Sequence, residues 1–223
     1  MTELRETVPL LAIAALVATF AASGIVPHEH FDEGRAVETV SMLAYALASL
    51  LAAALACTVV GPTRFDAALG AVLLAALAAR EADLHKTELL GSLTRTATYV
   101  DPTRPLALRA LAALILLGVI VAALALAWRR LDRGGRRGLA PLRSNAVVFG
   151  PILLLAVAKL IDGAERKLAD AGIAVGPAVG SAFVRVEESL EALAALALCA
   201  AVFALVRTRL ASLRPARAER TYA

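Results

Sequence analysis

The stretch "LALRALAALILLGVIVAALALAW", residues 106–128, limits what this chain can fold into more than any other feature. Its 23 residues carry one charge, Arg109. A bilayer core of ~30 Å takes roughly 20 apolar residues as helix, so the stretch has the length and composition of a span. Lipid offers no partner to backbone N–H and C=O groups, which leaves helices or closed barrels, and no strand-like alternation is present. Five other segments are apolar enough or nearly so. The predicted helices run over about 8–26, 39–61, 66–85, 105–128, 145–162 and 188–207. The fold expected is all-α: a polytopic transmembrane bundle of six helices forming one domain over residues 1–223. A hydrophobic fraction of 60% agrees, since soluble domains rarely reach it. Gly150-Pro151 predicts a kink in the fifth helix. Residues 1–26 are expected to be a retained helix, because the apolar run exceeds a usual signal-peptide core and Glu3 and Glu6 precede it; a cleavable signal ending near "FAASG" is the alternative.

Orientation follows from charge. The loop 129–143, "RRLDRGGRRGLAPLR", and the tail 207–220, "RTRLASLRPARAER", are rich in arginine and poor in acid. Such segments stay cytoplasmic, which puts both termini inside and makes the loops 27–38, 86–104 and 163–187 external. The inner side then carries a net +8 and the outer side −4, together the chain's +4. The basic balance is therefore a topology signal, and no nucleic-acid partner is implied. Membrane lipid is the partner expected, and a prokaryotic cytoplasmic membrane the location. Cys57 and Cys199 lie inside apolar runs without CxxC spacing and read as small core residues. The Ala-rich stretches "ALASLLAAALA" and "EALAALALCAA" predict that the second and sixth helices sit inside the bundle, beside the third and fifth.

The acids gather on the outer side. Glu38 opens the second helix, "READLHK" (80–86) ends the third, Lys159, Asp162, Glu165 and Arg166 end the fifth, and Glu187, Glu188 and Glu191 open the sixth. Ionisable groups at a membrane edge cost free energy unless paired or hydrated, so four helix ends bearing them point to a shared polar site. Glu81, His85 and Glu88 are spaced i, i+4, i+7 and would share a helix face, as would Asp162, Glu165 and Arg166. Carboxylates and imidazoles at such spacing build metal sites in helical bundles. Glu38, His85 and Glu191 are the candidate ligands for a divalent metal, zinc, iron or manganese. Glu81, Asp162 and Glu188 are candidate acid–base groups. Arg80, Lys86 and Arg166 are candidates to hold an anionic headgroup. His28 and His30 have a metal-capable spacing in a loop. A plainer reading stands beside this one: acids at helix N-termini favour the macrodipole, and the rest form interfacial ion pairs.

Four signatures, "FDEGRAVE" (31–38), "READLHK" (80–86), "DGAERKLADAGIAV" (162–175) and "EESLE" (187–191), together resemble a family of prokaryotic six-helix integral membrane proteins of uncharacterised activity. That resemblance implies a topology and no reaction. In plan the chain is also similar to the alkaline-ceramidase and adiponectin-receptor group of zinc-dependent membrane hydrolases. It departs from them in having six predicted helices, one membrane-edge histidine and no His-x-x-x-His in the last helix, so their ligands are not carried over. Three functions follow as expectations: a metal-dependent hydrolase acting on a lipid or lipid-linked headgroup, a structural or assembly subunit, and a proton- or cation-coupled transporter. No P-loop, dinucleotide fingerprint or nucleophile elbow is present.

Overall fold

The computed structural model describes residues 17, 21, 36–84, 93, 96–135 and 146–213, and the side chains of these apart from 130–135, 146–149 and 210–213. All regular structure among them is helical: α1 (Ala36–Thr58), α2 (Pro62–Glu81), the single turn α3 (Ala97–Val100), α4 (Leu106–Gly135), α5 (Ala146–Ile161), α6 (Ala164–Asp170) and α7 (Pro177–Leu213). Four of these, α1, α2, α4 and α7, are long and apolar enough to cross a membrane. The chain thus has the helices of a membrane protein. The first predicted span falls outside the described residues except for Val17 and Ala21, both helical.

Alanine and leucine are strong helix formers, and in α1 they also set its packing face. Ser41, Ala44, Tyr45, Ala48, Ala52, Leu55 and Ala56 recur at three- and four-residue spacing and are its buried residues. Gly61, at φ 76°, takes a backbone conformation that disfavours a side chain, and Pro62 begins α2 where its missing N–H is no loss. The short link folds α1 and α2 into a hairpin. Ser49 Oγ donates to the Ala71 carbonyl at 2.9 Å across it, a polar tie between helices of the kind that survives in lipid. Before α4, the Thr103 hydroxyl and N–H both donate to Asp101, at 2.7 and 2.9 Å, and hold its carboxyl below the usual range.

The helices stand in the spatial order α4, α2, α1, α7, α5. The two Ala-rich helices therefore sit inside, α1 against α2 and α7, and α7 between α1 and α5, as their small residues predict. One core joins Ala44, Tyr45, Ala48 and Ala52 of α1 to Ala71 and Leu74 of α2 and Ala195 of α7. A second joins Leu154 and Ala158 of α5 to Leu190 and Ala194 of α7. Ala194 and Ala195 are both fully buried, one turned to each neighbour. Helix α4 is different: Leu114, Leu117, Val121, Leu124 and Trp128 are exposed, which is what a helix bathed in hydrocarbon should show. Its far end is pinned by Arg129, whose Nε lies 2.8 Å from Asp66 and whose guanidinium sits over the Phe65 ring at 5.1 Å. Helix α5 runs through Pro151, which is fully buried.

Three sequence expectations change. The third helix was expected over 66–85 but lies at Pro62–Glu81, and Asp83 at φ 52° turns the chain away after it. The helical argument that put Glu81, His85 and Glu88 on one face therefore lapses at Glu81. The fifth helix ends at Ile161, and Gly163 in the left-handed region (φ 63°) starts a separate helix, so Asp162, Glu165 and Arg166 do not share one helix face. The sixth helix begins at Pro177 and not near residue 188. Glu187, Glu188 and Glu191 lie ten or more residues inside it, beyond the first turn to which a macrodipole effect is confined.

Candidate functional site

The last turns of α2 and α5 and the middle of α7 meet at one end of the bundle. Glu191 of α7, 3% exposed, is the hub. Its Oε1 receives Lys159 Nζ of α5 at 2.9 Å and Arg80 Nη2 of α2 at 3.2 Å. Its Oε2 receives Arg80 at 3.4 Å. Arg80 also lies 3.6 Å from Glu81, and Lys159 contacts Glu187 at 3.3 Å and Asp162 at 3.1 Å. One chain of ion pairs thus links three helices. Glu81 is buried and Glu188 half-buried, and both lie within electrostatic reach of Glu191 and of Glu38.

Helix α1 supplies the floor. Glu38, Ser41 and Tyr45 follow one another at i, i+3 and i+7 along the face it buries, so Tyr45 lies about 10 Å below Glu38 at 1.5 Å per residue. Ser41 turns its hydroxyl back to the Val37 carbonyl at 3.1 Å. Tyr45 is 1% exposed and its hydroxyl has no hydrogen-bond partner among the described groups. Tyr45 shares a cluster with Leu74 and Ala195, which lie two turns before Glu81 on α2 and one turn after Glu191 on α7, and the charges that act on it are Glu81, Glu191 and Arg80. Under Tyr45 the space closes on Ala48, Ala52, Leu74 and Ala195. Among the described residues, the polar cluster thus stands over an apolar floor.

Beyond it, the first ten residues of α7 run on by about 15 Å. Helix α6 packs against this extension. Between them is a cleft of about 370 Å³, lined among others by Ile161, Glu165, Arg166, Gly180, Phe183 and Glu187. The Glu165 carboxylate presses against the bare α-carbon of Gly180. Glu187 faces both this cleft and Lys159, so the cleft leads towards the network. Arg185, buried on the same extension, donates to the Ala21 carbonyl at 2.8 Å.

Of the residues singled out from sequence, Arg80, Glu81, Asp162, Glu188, Glu191 and Glu38 gather here, and Arg166 lies apart in the cleft. His85 and Lys86 lie outside the described residues, as do His28, His30 and Glu88. No group of three metal-capable side chains forms among the described residues. Glu191, a candidate ligand, has both oxygens engaged by cations. Sequence reasoning placed Lys159 at this end, and its pairing with Asp162 is present, but it missed the bridge from Lys159 to Glu187 and Glu191 and the place of Tyr45 in the floor. The spacing of Glu38, Ser41 and Tyr45 was the available signal for the second. No protein-family model matches the chain, and neither a curated protein nor a solved structure matches it.

Proposed function

We propose that this is a multi-pass protein of a prokaryotic cytoplasmic membrane, six helices with both termini inside, whose work is to hold a headgroup-sized ligand in an outward-facing carboxylate site. The observation that carries the reading is the charge imbalance in the site. Among the described residues, the carboxylates of Glu81, Asp162, Glu187 and Glu191 share two cations, Arg80 and Lys159, and Glu188 adds a further acid within electrostatic reach of Glu191. Structural ion pairs need only match in number, and surplus acid at a membrane edge is costly without a function to retain it. The apolar cluster beneath the network favours binding at the surface over conduction. Metal-assisted hydrolysis is less well supported, because Glu191 would have to give up Arg80 and Lys159 to become a ligand.

The orientation has its own expected result. A reporter active only outside the cytoplasm should work when fused after Pro102 or Gly176 and stay silent at Gly135. Activity at Gly135 would turn the site inward. Ligand binding is tested with purified protein in lipid nanodiscs of defined headgroup, with retained lipid identified by native mass spectrometry. Glu81→Gln and Glu188→Gln are expected to lose the retained species while melting within a few degrees of the parent. If both variants only shift the melting temperature and no headgroup is retained by any form, the network is a strut and the binding reading fails.

A further inference from the structure

Resting on that ligand-site reading, we infer that the ligand presents an ammonium group, seated between the Tyr45 hydroxyl and the carboxylates of Glu81 and Glu188. Buried hydroxyls almost always have a partner, and one that has none in the protein marks a place where something else supplies it. Tyr45 is such a group: 1% exposed, unpartnered, and under the charges of Glu81, Glu191 and Arg80. The sign of the ligand follows from its surroundings. Arg80 and Lys159 are already shared among Glu81, Glu187, Glu191 and Asp162, so an anion would meet surplus carboxylate and no spare cation among the described residues.

Size separates the possible cations. A bare divalent ion gathers its oxygens in one shell at roughly 2.0–2.6 Å. No three metal-capable side chains among the described residues come together in that way. An ammonium has three donors and no acceptor, and reaches its partners at about 2.8 Å along separated directions. Two carboxylates and a phenol oxygen from three helices suit it: Glu81 on α2, Glu188 on α7 and Tyr45 on α1. Glu191, held by its two cations, frames the site and stays out of the exchange. The packed apolar cluster around Tyr45 closes the seat from below. An aminophospholipid and a free primary amine share this chemistry.

The test compares nanodiscs of phosphatidylethanolamine with nanodiscs of phosphatidylglycerol, and titrates free ethanolamine against both. The protein should retain phosphatidylethanolamine over phosphatidylglycerol if the source is lipid, or bind ethanolamine in either nanodisc if the source is a soluble amine. In each case Tyr45→Phe should weaken binding about tenfold, the scale of one charge-assisted hydrogen bond, because the ring and its packing remain. Its melting temperature should be unchanged or higher, since the variant removes an unpartnered polar atom. A Tyr45→Phe protein that binds as tightly as the parent overturns the assignment of the hydroxyl. Preference for phosphatidylglycerol, abolished by Glu188→Gln, overturns the ammonium and leaves the ligand site standing. Retention of no headgroup and no amine by any form ends both.

Discussion

Arg80→Met is expected to destabilise the detergent-solubilised protein by about 3 kcal/mol, the scale on which breaking a buried ion pair costs stability. The loss comes from the carboxylates it leaves behind. Glu191 and Glu81 have side chains 3% and 5% exposed, and Arg80 is the cation that touches both. Methionine keeps the apolar stem, so the change removes charge with little loss of packing. Lys159→Met should cost less, about 1 kcal/mol, because Asp162 is 53% exposed and can turn to water while Glu191 keeps Arg80. Arg80 is itself 39% exposed, so its own solvation works against a larger value. The decisive measurement is a double-mutant cycle with Glu191→Leu. Replacing both partners by apolar groups of similar size is often close to neutral, so Arg80→Met/Glu191→Leu should be more stable than the sum of the single losses by about 1–3 kcal/mol. Additivity within about 0.3 kcal/mol would mean that the two side chains are not coupled.

This network was only partly legible in the sequence, for a physical reason. A hydropathy pattern reports where a helix meets lipid and says little about where the helix begins or ends. It located the apolar part of α7 near 188–207, yet the helix starts at Pro177, since apolar Val179, Phe183 and Val186 continue it beyond the acids. Pro177 after Gly176 was a readable start signal. With the start misplaced, Glu188 and Glu191 looked like N-terminal acids, when they are interior residues with no macrodipole to favour them. The end of α2 carried the opposite error. "READLHK" is made mostly of good helix formers, and Asp83, a residue type that tolerates the left-handed region, is a weak hint of the turn. The break after α5 was clearer, because Gly163 is the residue type that a left-handed helix end selects. The gathering of acids at one end of the bundle was readable from spacing and alternation of spans. Which cation meets which acid depends on how far α2 and α5 stand from α7, and that distance is set by the small residues between them.

Those small residues carry the second large effect. Ala48→Leu is expected to destabilise the protein by about 2–3 kcal/mol, as overpacking of a close-packed core does. Ala48 is fully buried on the α1 face that meets α2 and α7, in one cluster with Ala71, Leu74 and Ala195. Lipid tails are as apolar as leucine, so helix association in a membrane rests on close contact, and alanine is what permits it. Three added carbons have no void to enter and must push α1 from α2 or from α7. Displacing α7 also lengthens the reach from Arg80 to Glu191, so ligand retention should fall with stability. The neighbouring Leu47→Ala supplies the control. Leu47 is 52% exposed on the opposite side of α1, and its loss should stay within about 0.5 kcal/mol. Thermal melts in one detergent, with retained lipid measured on the same samples, separate the two positions. Equal effects at 47 and 48 would mean that α1 does not pack as described, and the site built on its Tyr45 face would lose its floor.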